Sequence, residues 1–563
     1  MTGRQAALLV ALLLALAPCA RGQETRAAHD MVEAADPRAA AIGRDILREG
    51  GSAADAAVAM AVSLTILEPQ AAGIGGGGFL VHWAAKDRRL TAFDGRETAP
   101  AAARPDRFLD ADGKPLPFFD AVIGGRSVGV PGMLRMLALV HQRFGRLPWR
   151  RLIAPSIALA AHGFALSPRV QALIARDRFL PRDRAARALY FLPNGTAKPP
   201  GTVIVNPTLA ATLRDIARRG PDAFYRGKIA RDIVATVAHA ATPGDLTAAD
   251  LAAYRTKERP TVCRVYRRYR VCGMGLPSGD VAVLEILGLL QPFDLKSHIA
   301  DVTAWHLFAE ASRLAYADRA RYLADPDFVA APAAGLLDPA YLAARAQLID
   351  PVHAHPGPAA PGEPAGRHSD NWGDEFAPEF PSTSTITAID RDGNAVAMTV
   401  TIENDFGARM MVRGFFLNNE LTDFSFLPER DGRPVANRVE PGKRPLSAMS
   451  PTMVFAPDGR LFLVLGSAGG PAIIDDVAKT IVGMIDWHKD LEAAIALPNI
   501  DNRNGATEVE ERPDTAALAA ALAARGHVVQ MSRRQSGLGG IAVTRAGLVG
   551  AFDPRREGAA LGD

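Results

Sequence analysis

The chain has almost no net charge. Its 64 Lys and Arg against 61 Asp and Glu leave +3 over 563 residues. That balance excludes a dedicated nucleic-acid binder, which needs a strong basic excess. The densest basic stretch, Arg264 to Arg270 (RVYRRYR), alternates like a strand and reads as a solvated hairpin face. Long apolar runs are absent beyond the first twenty residues, so no later segment is long enough to span a bilayer. Internal repeats are also missing, which excludes a solenoid or propeller. Cysteine is scarce, with Cys19, Cys263 and Cys272 only. The apolar fraction of 48% is not low, so disorder and a fibrous fold are excluded as descriptions of the whole chain.

What is present begins with an address. Arg4 precedes an apolar run from Ala6 to Ala17, long enough for a signal peptide and too short to cross a membrane. Ala20 and Gly22 place small residues at −3 and −1, so cleavage is expected before Gln23, with residues 1–22 removed. Leu16-Ala17-Pro18-Cys19 is close to a lipoprotein box, but Pro18 stands where a small residue is wanted. The expected location is the periplasm or the outside of the cell. Cys263 and Cys272 flank two alternating segments, and an oxidising compartment permits a disulfide there; two reduced thiols is the other reading.

The pattern of elements is helix, then hairpin, repeated. Asp36 to Arg48 reads as a helix stopped by Gly50-Gly51, and Ser52 caps a second, wholly apolar helix from Ala53 to Leu67. Strands follow from Phe79 to Trp83 and on to Phe93, with a turn at Lys86-Asp87. Gly132 to Leu295 reads as mostly helical, with the two cysteine strands inside it, and Ala304 to Tyr322 is another helix. Pro351 to Pro381 is rich in Pro, Gly and Ala without periodicity, and reads as a mobile linker. Beyond it come hairpins at 385–402, 452–465 and 541–552, with a helix from Pro471 to Trp487. Hairpins separated by helices predict an α+β layered sandwich.

Three motifs match known signatures in the wrong setting. Gly73 to Gly78 satisfies G-x-G-x-x-G, yet a helix precedes it and a strand follows, the reverse of a dinucleotide site. Its glycines are read as letting two backbones approach closely. Gly125-Arg126-Ser127-Val128-Gly129 matches the nucleophile elbow, but no helix starts directly after the Ser. His353 and His355 sit in the Pro-rich linker without further ligands, so no metal and no cofactor is expected.

Thr383 is the fourth candidate, at the end of the linker and the head of the strongest hairpin (PSTST). Downstream lie Leu417 to Phe424 (LNNELTDF) with two carboxylates, Arg444 to Pro451 (RPLSAMSP) with hydroxyls on a Pro-constrained loop, and Gly466 to Gly470 (GSAGG) with paired glycines suited to an oxyanion. With Leu67-Glu68-Pro69-Gln70, Asp94 to Pro100 (DGRETAP), Gly129-Val130-Pro131-Gly132 and Asp553-Pro554-Arg555-Arg556, these blocks resemble the gamma-glutamyltransferase (glutathione hydrolase) family of the N-terminal-nucleophile hydrolases. The resemblance runs from about Met31 to the last residues.

It implies a four-layer αββα sandwich made as an inactive precursor. Thr383 attacks the carbonyl of Ser382, giving a large subunit (23–382, ending in the 351–382 linker) and a small one (383–563) that stay together as a heterodimer. Thr383 Oγ then attacks a γ-glutamyl amide such as glutathione, and water or an amino acid or peptide releases the acyl group. The new α-amine serves as the base, with an ordinary pKa near 7.7–8.0. By resemblance, Thr401 hydrogen-bonds the nucleophile, and Gly469 and Gly470 hold the oxyanion. Arg96 and Ser447 take the α-carboxylate, while Glu403, Glu420 and Asp423 surround the α-ammonium.

Three departures stand out. Ala448 replaces the second Ser of Ser-Ser-Met, Thr385 replaces a frequent His, and the stretch from Phe426 to Lys443 is short, as in members without a lid loop. The competing readings are an acylase for a glutaryl-type side chain on a β-lactam nucleus and a catalytically dead binding protein.

Overall fold

The computed structural model describes residues 24–367, 372–375, 377 and 382–563. The signal segment, its cleavage point and Cys19 lie outside the described residues, as does part of the linker.

Two seven-stranded sheets, antiparallel throughout, form the centre. The first runs Ala559–Gly562, Met31–Ala34, Ser384–Ile389, Ala395–Thr401, Gly77–Ala84, Arg89–Asp94, Lys257–Arg259. The second runs Thr25–Ala27, Gly547–Phe552, Gly539–Thr544, Leu461–Gly466, Thr452–Phe455, Tyr269–Met274, Thr261–Tyr266. Side chains alternate along each strand, so each sheet serves two cores. Leu80, Ile386, Val396, Met398 and Val400 share a core with the helix Ala53–Leu67. Phe79, Val81 and Ala397 turn the other way, into a core with Val454, Leu463 and Leu465 of the second sheet. The helices Asp280–Leu290, Val302–Tyr322 and Ile473–Ile485 complete that second core from the outside. The order is helix, sheet, sheet, helix, as the resemblance implies.

The local signals explain the buried helix. Ser52 and Asp55 form a reciprocal capping box at its start, and all fifteen residues are buried. Truncating Leu64 to Ala there costs about 2–5 kcal/mol. The glycine run does what its setting suggested. A Cβ on Gly76 would lie 2.0 Å from the Thr401 carbonyl oxygen, and one on Gly78 2.4 Å from that of Thr399. Ser127 is buried and donates its hydroxyl to the Val122 carbonyl at 2.6 Å, so it is no nucleophile. No metal-ligand cluster occurs among the described residues.

Three expectations need correction or extension. Cys263 and Cys272 face each other across adjacent strands, with their sulfurs 2.09 Å apart. The basic stretch is a hairpin, but not all of it is solvated. Arg267 turns inward to Asp486 at 2.8 Å and caps the carbonyls of Gln291 and Phe293, and Arg264 donates to Leu337. A helix end nearby offers unsatisfied carbonyls that water would otherwise serve. The strands at 25–27, 31–34, 500–502 and 559–562 were not read from the sequence, being too short to show a period. The described linker residues 351–367 form no helix or strand, yet they dock: Ala354 N–H donates to the Arg525 carbonyl and Gly362 N–H to Asp318.

Candidate active site

Pairing of Ser384 with Val400 puts Thr383 opposite Thr401, both on the face between the sheets. The Thr383 hydroxyl donates to Thr401 Oγ1 at 3.3 Å, and Thr401 Oγ1 also accepts the Glu403 N–H at 2.8 Å. The Thr383 carbonyl accepts from Arg556 Nη1 at 2.9 Å. Thr383 itself has φ +99°, in the left-handed region that β-branched residues avoid. Such strain costs about 1–3 kcal/mol and persists only where the surroundings enforce it. Here it lies at the Ser382–Thr383 bond. Ser382 is pinned on both sides: its hydroxyl donates to the Gln70 carbonyl, and its own carbonyl accepts the Gly469 N–H at 3.2 Å.

Gly469 and Gly470 take φ +145° and +64°, a conformation that Gly adopts without strain. They follow the strand Leu461–Gly466 and lead into the helix Ile473–Ile485. Thr385 has a packing role. Its hydroxyl fills the space where a Gly466 Cβ would stand, 2.2 Å away.

Arg96 follows the strand Arg89–Asp94 and is buried. Its N–H is set by Asp94, and its carbonyl by the Tyr254 hydroxyl. Its guanidinium donates from Nε to the Pro445 carbonyl and from Nη2 to that of Leu446, and pairs with both Glu420 and Asp423. Burial works against its charge, but Glu420, Asp423 and Glu97 hold it firmly protonated. The fork expected to receive a carboxylate is thus filled, in the uncut chain, by two of the acids expected around the ammonium.

Glu403 is the third acid, held at φ +73° with its carboxyl on Asn419 Nδ2 and near Thr422 Oγ1. Burial pushes it well above the usual glutamate range, and Asp423 and Glu420 push it further. Glu97 is likewise driven well up by burial and then by Glu420. Among the described residues neither oxygen of Glu97 nor Oε2 of Glu420 has another donor, so the proton that Glu97 keeps serves the pair. Three buried acids, Glu97, Glu403 and Glu420, and the half-buried Asp423 therefore stand around one arginine, and a further cation in the cleft would favour the ionised form of Glu403.

Arg96, Thr383, Thr401, Glu403, Glu420, Asp423, Ser447 and Gly470 line one cleft, with Ala448 in the wall. Its volume is about 20 Å³, room for about one water. Ser447 Oγ accepts the Met449 N–H at 3.1 Å. Gly469 stands behind the cleft, on Ser382. The residues given catalytic or substrate roles by resemblance thus lie in or directly behind this cleft, whereas Cys263, Cys272, Ser127, His353 and His355 are not among its lining residues. The sequence reading assigns no role to Glu97, Asn419 or Arg556; for Glu97 and Asn419, adjacency to Arg96 and Glu420 is the available signal.

The family model described as gamma-glutamyltranspeptidase matches residues 39–563. The chain is 40% identical over 482 residues to the glutathione hydrolase proenzyme of Bacillus subtilis strain 168, covering 84% of this chain and 80% of that one. It is 36% identical over 550 residues to the glutathione hydrolase proenzyme of Escherichia coli strain K12, covering 94% and 91%. Among solved structures, a cephalosporin acylase from Bacillus halodurans superposes with a TM-score of 0.84 at 27% identity over 97% of both chains.

Proposed function

The chain belongs to the gamma-glutamyltranspeptidase family, and from that premise we propose that it is an exported proenzyme that cuts itself at Ser382–Thr383 and then transfers γ-glutamyl groups. The observation that carries the reading is the arrangement at that bond. Thr383 Oγ hydrogen-bonds Thr401, the Ser382 carbonyl oxygen sits on the Gly469 N–H, and the residue between them is strained. Attack of Thr383 Oγ on the Ser382 carbonyl puts negative charge on an oxygen that already has a donor, a stabilisation worth roughly 3 kcal/mol of barrier. Breaking the Ser382–Thr383 peptide bond yields an ester, relieves the enforced φ, and frees the amine of Thr383. Water opens the ester.

In the cut enzyme, that amine takes the hydroxyl proton as Thr383 Oγ attacks the γ-carbonyl of the donor. Gly469 and Gly470 hold the oxyanion. Glu403, Glu420 and Asp423 supply the negative charge that an α-ammonium needs, and Arg96 with Ser447 takes the α-carboxylate. Arg96 must exchange part of its hold on Glu420 and Asp423 for that carboxylate, a like-for-like exchange in charge. Water or an amine then takes the acyl group. Export is supported by the N-terminal pattern and by the Cys263–Cys272 bond, which suits an oxidising compartment. No helix among the described residues is long and apolar enough to cross a membrane.

The test is the denatured mass of purified protein beside a Thr383→Ala control. Residues 23–382 and 383–563 weigh about 38 and about 19 kDa at the mean residue mass of the chain. Two such pieces, absent in the control, are the expected result. A single uncut chain for both proteins overturns it. A second reading, an acylase for a glutaryl-type donor, is favoured by the fit to the cephalosporin acylase. Glutaryl has no amine for the three acids, so the γ-glutamyl anilide is expected to be the better donor of the two.

A further inference from the structure

A second cavity of about 340 Å³ adjoins the nucleophile cleft. Arg319, Arg430 and Arg503 line it, and so do two carboxylates, Asp374 and Glu375. It borders the cleft on two sides. Pro471, in its wall, directly follows Gly470, and the Tyr316 hydroxyl holds the Pro471 carbonyl at 2.5 Å. On the other side, Asn437 Nδ2 bridges Glu375 Oε1 and the carbonyl of Asp423, and Asn437 Oδ1 accepts the Leu446 N–H. Glu375 is therefore one side chain away from the donor cleft.

The two carboxylates are held by arginines of one helix. Arg319 Nη1 pairs with Glu375 at 3.4 Å, with both side chains only 6% exposed, and Arg321 Nε pairs with Asp374 at 2.6 Å. The Glu375 N–H adds a bond to the Ala320 carbonyl. Arg319 lies on the 21-residue helix Val302–Tyr322, most of which is buried. Asp374 and Glu375, by contrast, stand eight and seven residues before Thr383's predecessor Ser382, the residue that the proposed cut turns into a chain end. An internal loop tethered at both ends becomes a tail tethered at one. The entropic reason to stay is then weaker, while Arg319 and Arg321 keep their place on the helix.

We infer that this cavity is the site for the free carboxylate of the acyl acceptor, an amino acid or short peptide, with Glu375 as its internal place-holder before the cut. The inference rests on the γ-glutamyl transfer reading. The acceptor's carboxylate pairs with Arg319, supported by Arg503 and Arg430 at the rim. Its amine is directed at the Thr383 ester carbonyl. The N–C bond forms, the C–Oγ bond breaks, and the amine proton passes through the α-amine of Thr383 to Oγ. A bidentate guanidinium suits a carboxylate geometrically, and a partly desolvated pair discriminates against a neutral amide.

Calorimetric titration of the cut protein with glycylglycine and with glycylglycinamide tests this directly. The free acid is expected to bind at least tenfold tighter than the amide. Arg319→Gln should reduce that ratio to below threefold, and Arg319→Lys should restore part of it. The uncut Thr383→Ala chain should show no preference, because Glu375 occupies Arg319. Should Arg319→Gln fail to mature, Arg503→Gln on the exposed rim should lower the ratio two- to threefold. Equal binding of acid and amide to the cut wild type, or an undiminished ratio in the arginine variants, overturns the proposal. None of these readouts needs donor turnover. A preference for the acid beside a complete lack of γ-glutamyl anilide cleavage counts against the donor assignment and leaves the carboxylate site standing.

Discussion

The N–H of Gly469 donates to the carbonyl oxygen of Ser382 at 3.2 Å. A glycine expected to serve an incoming substrate is thus already engaged with the chain's own backbone, at the carbonyl that the proposed self-cleavage attacks. Under the proposed function, one donor serves two successive oxyanions, first that of Ser382 and then that of the donor's γ-carbonyl. Maturation and catalysis consequently share determinants, and variants of this site are best read in both steps.

Gly469→Ala is the first such variant. A Cβ there meets nothing closer than 3.6 Å, so space is not the obstacle. The φ of +145° is, at a cost of about 1–3 kcal/mol. Relaxation of that φ swings the N–H off Ser382. The expected outcome is a largely uncut chain on a denaturing gel, and normal cutting in this variant speaks against the shared oxyanion donor.

Thr401→Val keeps shape and removes the hydroxyl that accepts from both Thr383 and Glu403. Losing these bonds costs about 1–3 kcal/mol, or roughly ten- to a hundredfold in rate. Both the cut and the anilide turnover of whatever enzyme matures should slow by that order. A time course of chain cleavage followed by initial rates on the cut fraction measures each.

Glu403 makes donor binding pH-dependent. Its carboxyl in the empty cleft is held protonated well above the usual glutamate range, by burial first and then by Asp423 and Glu420. A bound ammonium favours the ionised form and lowers that pKa. Binding therefore releases a proton between the ordinary glutamate value and the raised one, and affinity climbs as pH rises through this window. Glu403→Gln should abolish the release and weaken binding about tenfold or more, since a charge-assisted hydrogen bond is worth about 1.5–3 kcal/mol. Titrations in two buffers of different ionisation heat give the proton count directly.

Arg556 holds the Thr383 carbonyl and, through Nε and Nη2, the Gln535 carbonyl. Arg556→Met strands the buried Thr383 carbonyl, at about 1–3 kcal/mol, and leaves the Gln535 carbonyl to water. A lower Cm in urea and a slow cut are expected together, and Arg556→Lys should recover one of the two bonds. An unchanged cutting rate in the Met variant removes Arg556 from the positioning of Thr383.

Much of the site was legible because its parts are local words. The capping residues Ser52 and Asp55, the alternation of 385–389 and 395–401, and the glycines at 469–470 each report a backbone conformation set within a few residues. Thr383 opposite Thr401 follows from a tight hairpin register. The blocks holding Arg96, Glu420, Asp423 and Ser447 were also readable, but only as motifs whose roles came by resemblance.

What each of those residues touches was decided elsewhere. Arg96 and Glu420 are separated by 324 residues, and Arg556 and the carbonyl that it holds by 173. Periodicity tells which face a side chain takes, and it carries no information about the partner that a distant segment brings to that face. The sequence by itself determined the strands, the caps and the presence of a hydroxyl at the head of a hairpin, because these depend on neighbours a turn away. Only the tertiary structure decided that Arg96 is filled by two acids, that Gly469 rests on Ser382, and that Glu375 sits on Arg319. Those contacts exist because four layers, stacked in one order, bring remote chain segments into a space where burial makes every unpaired charge costly.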